Sequence, residues 1–274
     1  MPDQHTQHIA AAYDKMAPEY DDFSQPFFHN CYTLYEKILL RLVNGRRYNK
    51  VLDVGCGTGV QTVELAKFGE QVVGLDISRE LLKIAQDKCQ HKPNVLLLEA
   101  DATKIPFPDD YFDAVFSYGD VLSHIPDYKT ALAEMARVCR PGGTVTFEAD
   151  NKWYWGLLHK PAELREAFKS GGGHYRYWNF TYQNGHSNSL KFKTFTRKEI
   201  KELLKINGLK PRVFYGLNVF SCLLPDAVLY EHQRSLGGKV AIFLGAVDYR
   251  LSSCFPINRM GFNFIVVAQK QGKG

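Results

Sequence analysis

The chain has 274 residues, of which 45% are hydrophobic and 23% charged. That is enough apolar residue for a substantial core, and it excludes a disordered chain. The net charge is +5, from 34 Lys and Arg scattered among 29 Asp and Glu; a nucleic-acid binder gathers its cations into a stripe, so no nucleic-acid partner is expected. No apolar run is long enough to span a bilayer, Met1-Pro2-Asp3-Gln4-His5 lacks a secretion-signal pattern, and six scattered cysteines form no Cys-x-x-Cys pair. The expectation is a cytoplasmic protein with reduced thiols and no metal site.

Residues 5–23 place Ile9, Ala12, Tyr13 and Met16 at helical spacing, until Pro18 interrupts. A second helix is predicted over 29–44, with Tyr32, Leu34, Tyr35, Ile38, Leu39 and Leu42 on its apolar face. From there strands and helices alternate. Strands are expected at 50–54, 71–75, 95–98, 112–117, 143–149, 209–216 and 262–269, and helices at 59–67, 78–89, 128–138 and 196–206. Ser78 is a suitable N-cap, Thr196 with Glu199 makes a capping box, and Gly208 ends the last helix. Pro141-Gly142-Gly143 reads as a turn into the fifth strand. Such alternation predicts an α/β fold with a parallel sheet covered on both faces. The stretches 150–195 and 217–260 are too long for plain connections and read as caps.

The first strand runs into Val51-Leu52-Asp53-Val54-Gly55-Cys56-Gly57-Thr58-Gly59, and the second ends at Asp76. Glycines let the backbone turn sharply and approach a ligand closely. Asp76 lies 23 residues after Asp53, about where a dinucleotide fold puts its ribose-binding acid. The spacing nevertheless argues against a dinucleotide. Gly55, Gly57 and Gly59 are spaced Gly-x-Gly-x-Gly, and Val60 stands where the third glycine of that fingerprint would be. Asp53, two residues before the first glycine, would repel a pyrophosphate and suits a cationic ligand. No Gly-Lys-Ser/Thr follows, which excludes a P-loop. In a doubly wound sheet, ligands bind beyond the carboxyl ends of the strands. The crevice would therefore also receive the strand ends Glu99-Ala100-Asp101-Ala102 and Ser117-Tyr118-Gly119-Asp120.

The run Asp53-x-Gly55-x-Gly57-x-Gly59 with Asp76 resembles the S-adenosylmethionine site of class I methyltransferases. With Asp101, the segment Ile105 to Asp113 and the segment Arg137 to Gly143, the chain is similar to the small-molecule enzymes of that family, which include quinone-ring C-methyltransferases and glycine N-methyltransferases. The similarity covers about residues 9–150, and resumes over 192–216 and the final strand. It implies a doubly wound, seven-stranded Rossmann-like sheet of order 3-2-1-4-5-7-6 with the last strand antiparallel. One domain is expected over 1–274, with an N-terminal helical lid (1–45), a core (46–150 and 192–274), an aromatic cap insert (151–191) and a helical insert (217–260). The resemblance implies S-adenosyl-L-methionine as cofactor, contacted by Gly55, Thr58, Asp76, Asp101, Ala102 and Ser117. Asp53, Gly57, Gly59 and Ile77 complete the candidate set. Tyr13 and Tyr20 are expected to fold over it as a lid, where ring faces attract a sulfonium; docking of the N-terminal helix is their other reading.

Methyl transfer is an in-line displacement, in which the protein aligns the nucleophile and excludes water. A base is needed only when the nucleophile carries a proton. His124, which follows the fourth strand, is the candidate base, with local packing as its other reading. Asp120 either orients the acceptor or binds only backbone. All three tryptophans, Trp153, Trp155 and Trp178, fall in 150–195. They form the candidate acceptor wall, or else the core of an inserted β-rich unit. Gly171-Gly172-Gly173 is a candidate hinge for this cap, and Tyr182, His174 and His186 belong to the same segment. The expected function is methyl transfer from S-adenosylmethionine to a small, apolar or aromatic metabolite. The alternatives are an RNA or protein methyltransferase, a non-catalytic cofactor-binding partner subunit, or aminopropyl transfer. Monomer and homodimer both remain open.

Overall fold

The computed structural model describes residues 4–21, 25–170, 173–181 and 187–272. Of the proposed cap features, Gly171, Gly172, Tyr182 and His186 lie outside these described residues. Helix α1 (Gln4–Met16) gives way to one 3-10 turn, Ala17–Glu19, at Pro18. Helix α2 (Pro26–Val43) opens on a proline, whose missing N–H costs nothing in a first turn. It closes on Asn44 in the left-handed region. The alternating part follows: β1 (Tyr48–Val54), α3 (Val60–Leu65), β2 (Gly69–Asp76), α4 (Arg79–Cys89), β3 (Val95–Glu99), β4 (Phe112–Ser117), α5 (Val121–His124), α6 (Tyr128–Val138) and β5 (Cys139–Asp150). The long insert then carries α7 (Pro161–Lys169) and an antiparallel hairpin, β6 (Tyr175–Thr181) with β7 (Ser187–Lys193). The chain ends with α8 (Arg197–Ile206), β8 (Leu209–Leu217), α9 (Asp226–Leu229), α10 (Leu236–Leu251) and β9 (Asn263–Lys270).

Seven strands form one sheet of order β3-β2-β1-β4-β5-β9-β8. Strands β1 to β5 are mutually parallel, and β9 runs antiparallel to both neighbours, β5 and β8. Counting only the strands of this sheet, the order is 3-2-1-4-5-7-6 with the last strand reversed, as the sequence comparison implied. The winding direction changes between β1 and β4, which opens a crevice at their carboxyl ends.

Both faces of the sheet are covered. On one, Leu52, Val54, Val115, Phe147 and Phe264 pack with Leu132 and Met135 of α6 and Ile200 and Leu204 of α8. On the other, Val51, Ala114, Phe116 and Ile265 pack with Leu34, Tyr35, Ile38 and Leu39 of α2. A smaller satellite core holds Tyr154, Leu157, Ala167 and Cys222. Local signals agree with this packing. Ser78 accepts from Leu81 N, and Thr196 with Glu199 completes a reciprocal capping box on α8.

One boundary differs from expectation. Strand β5 begins at Cys139, not at 143, because Cys139 already pairs with Phe112. The next pair is Ala114 with Thr144, so Pro141-Gly142-Gly143 forms a bulge inside the strand, with Gly142 at φ 76°. The insert is also more ordered than a loop, since the bridge Asn151–Phe195 ties its two ends together. Among the described residues, no helix is long and apolar enough to cross a membrane.

Candidate functional site

The loop after β1 turns on Gly55, Gly57 and Gly59, all left-handed at φ 70°, 52° and 80°. Left-handed backbone is cheap only for glycine. Gly55 N and Cys56 N donate to Leu75 O at 2.8 and 2.9 Å, which clamps the loop to the end of β2. A Cβ on Gly55 would collide with the Val121 side chain. At the end of β2, Asp76 accepts from Gly57 N on Oδ2 at 2.7 Å and from Ser78 N on Oδ1 at 2.8 Å. The carboxylate is thereby fixed in orientation, and each oxygen keeps acceptor capacity. Burial raises the Asp76 pKa, and the backbone donors oppose the rise.

A cleft, open at its mouth, lies at these strand ends. Of the candidate residues, Tyr13, Tyr20, Gly55, Gly57, Asp76, Ile77, Asp101, Ala102 and His124 line it. Asp101 accepts from Thr103 N and Thr103 Oγ1, both on Oδ1 at 2.8 Å. The lid side is formed by Thr6, Ile9 and Tyr13 of α1, together with Tyr20. The Tyr13 and Tyr20 rings meet edge to face at 6.1 Å, and a Cβ added at Gly57 would sit 3.6 Å from the Tyr20 ring. Two acids that sequence reasoning missed latch this lid. Asp14 accepts from Ser78 Oγ at 2.6 Å and Glu80 N at 3.1 Å, at the start of α4. Asp21 accepts from Thr58 Oγ1 at 2.7 Å and pairs with Lys88 at 2.5 Å.

The remaining members of the candidate cofactor set stand behind the cleft wall. Asp53 is 2% exposed and accepts from Thr62 Oγ1 of α3 at 2.7 Å. Burial pushes its pKa up to about 7, against the Thr62 bond. Thr58 serves the lid latch, and Gly59 lets α3 approach Ala85 of α4. Ser117 is buried at the end of β4, and its Oγ has no partner among the described residues.

On the far side of the cleft, Gly119, Val121, His124, Ile125 and Pro126 form the wall. His124 is half-buried. Its ring stacks on Phe192 at 5.4 Å and meets Trp178 and Tyr13 edge-on, each at 6.2 Å. Burial lowers its pKa to about 4, so the imidazole is neutral near pH 7. The three tryptophans do not converge. Trp178 lies beside His124, whereas Trp153 packs on Phe168 at 5.0 Å and Trp155 on Phe220 at 5.5 Å, within or against the satellite core. Asp120 begins α5 in the left-handed region at φ 59° and accepts from Asn263 Nδ2. Beside it lie two buried acids that sequence reasoning also missed, Glu148 and Asp150. Their signal was present as the alternation Phe147-Glu148-Ala149-Asp150 at the end of an otherwise apolar strand.

Residues 52–147 match the family described as a methyltransferase domain. The demethylmenaquinone methyltransferase of Anoxybacillus flavithermus is 34% identical over 142 residues, covering 50% of this chain and 60% of that protein. The enzyme of the same name from Bacillus licheniformis is 36% identical over 142 residues, covering 51% and 61%. The chain thus spans about three fifths of the length of these curated relatives. Among solved structures, the [4+2]-cyclase SpnF superposes with a TM-score of 0.64 at 18% identity, over 98% of this chain and 97% of that one. The DhpI–SAH complex gives 0.62 at 18% identity over the whole of both chains. At such identities the likeness is one of fold.

Proposed function

We propose, for a chain whose residues 52–147 match the methyltransferase-domain family, that the cleft binds S-adenosyl-L-methionine and that the protein methylates a small, apolar or aromatic molecule. The single observation that carries this reading is the Asp76 carboxylate. It is held by Gly57 N and Ser78 N at the end of β2, on the wall of a cleft closed by a Gly-x-Gly-x-Gly loop. An acid so fixed fits a ribose, and a loop whose Gly55 and Gly57 line the cleft without Cβ atoms, with the Asp53 carboxyl behind it, fits a nucleoside without phosphates.

Bound S-adenosylmethionine supplies an electrophilic methyl carbon on a sulfonium. The chain's own residues do the rest. Asp76 holds the ribose, and Asp101 with Ala102 holds the adenine at the end of β3. Tyr13 and Tyr20 close the mouth and exclude water. Behind the wall, Asp53 keeps the loop and α3 in place through Thr62. His124, neutral and facing the cleft, receives a proton when the acceptor's nucleophile carries one.

A small acceptor is favoured over RNA or protein because α1 and Tyr20 roof the cleft, and His124, Trp178 and Phe192 stand on its far side. The fold alone does not decide the chemistry, since one protein of the same fold is a cyclase. The test is incubation of the protein with labelled methyl donor and fractionated cell extract. Label in the low-molecular-weight fraction, dependent on the protein, is the expected result. Label confined to protein or RNA would overturn the small-molecule reading.

A further inference from the structure

We propose that Asp120, Glu148 and Asp150 form a subsite that reads a protonated amine carried by an otherwise apolar or aromatic acceptor. The inference rests on the methyl-transfer reading above and names the substrate class of that same site.

Glu148 and Asp150 are two apart on β5, so both project from one face of the sheet. Asn263, the first residue of β9, pairs with Asp150 in register and donates through Nδ2 to Asp120 Oδ1 from the loop after β4. Glu148, Asp150 and Asn263 are 0%, 2% and 1% exposed. Glu148 Oε2 is saturated, accepting from Tyr35 Oη at 2.6 Å, Gly119 N at 2.8 Å and Asp120 N at 3.3 Å. In contrast, Glu148 Oε1, Asp150 Oδ2 and Asn263 Oδ1 are buried and have no donor among the described residues. Three acceptor atoms therefore share one patch with nothing to accept from.

The charge is equally unbalanced. Arg176 is the cation that eases Asp150 and Asp120. Its Nη2 is committed to Asn151 O at 2.5 Å, its guanidinium lies over Tyr154 at 4.6 Å and Phe262 at 5.0 Å, and its Nε meets no acceptor. Burial pushes Glu148 up to about 7, with the Asp150 charge adding to the rise, and burial pushes Asp150 up to about 6 against Arg176 and Ser123. Buried carboxylate oxygens without donors are costly, and a ligand offering N–H donors together with positive charge removes both penalties. A hydroxyl supplies only the donor.

The test is calorimetry on S-adenosylhomocysteine-loaded protein with two isosteric probes, 2-phenylethylamine and 2-phenylethanol. The ammonium is expected to bind at least tenfold more tightly than the alcohol. In Asp150→Asn that preference should shrink at least tenfold, with S-adenosylhomocysteine affinity unchanged. Glu148→Gln serves as the second variant should Asp150→Asn fail to fold. Equal binding of the two probes, binding of neither, or an undiminished preference in the variants would overturn the proposal. Failure of S-adenosylhomocysteine itself to bind would instead overturn the cofactor reading. The two probes would then be compared on the free protein, with the same outcomes deciding.

Discussion

Asp53 and Asp76 end adjacent strands with the same side chain, yet they sit in opposite surroundings. Asp76 has two backbone donors and a cleft, whereas Asp53 has one hydroxyl and a wall of protein. The Asp53 pKa is therefore raised to about 7 in the fold, while the unfolded chain ionises in the ordinary carboxylate range. Between about pH 4 and about pH 7 the folded carboxyl keeps a proton that the unfolded one has lost, so its contribution to stability falls as pH rises through that window. One pKa unit of difference is worth about 1.4 kcal/mol. Thermal melts of Asp53→Asn should show the variant gaining on the wild type from about pH 4 to about pH 7, with no further gain above. Parallel curves would contradict this. His124 has the reverse sign, since burial keeps it neutral down to about pH 4. Turnover in His124→Ala should fall while cofactor affinity is retained, and wild-type turnover should show no inflection near pH 6.5 from this ring. At this scale the glycines and Asp76 were legible because backbone geometry demands particular residues at particular spacings. Asp14 and Asp21 were not, because a latch needs only an acid somewhere within reach.

Where α1 docks is visible only in the fold. Helical spacing announced α1, but nothing in Ile9, Ala12, Tyr13 and Met16 says where the helix docks. The answer lies in polar ties, Asp14 to the start of α4 and Asp21 to Thr58 and Lys88. Such a helix, held at one end and facing a cleft, should order further on ligand binding. Hydrogen exchange is expected to slow over Gln4–Tyr20 when S-adenosylhomocysteine binds, and to stay unchanged in β1; unaltered exchange over the lid would contradict its role. The hairpin β6–β7 was hard to see for a different reason. Tyr175 and Tyr177 face outward, 43% and 63% exposed, while Arg176 and Trp178 turn inward. Aromatic residues on both faces erase the alternation by which a strand is read. The same cause made the tryptophans look like one wall, when Trp178 joins His124 and the other two join the satellite core.

Over the whole molecule, the sheet was legible because most strands are short apolar runs between turn residues and most crossovers carry a helix, which leaves few topologies open. The acidic patch was not, because Asp120, Asp150 and Asn263 become neighbours only through the insertion of β9 between β5 and β8. Sheet order thus sets the carboxylates of β5 next to the cleft at the switch between β1 and β4, joined to its wall through Gly119 N, which donates to Glu148. The decisive measurement is calorimetric titration of S-adenosylhomocysteine into the wild type and Asp76→Ala. The expected result is saturable binding to the wild type, weakened more than tenfold in the variant. No binding to the wild type at millimolar concentration would contradict the assignment of the cleft, and equal affinity in the variant would remove Asp76 from it.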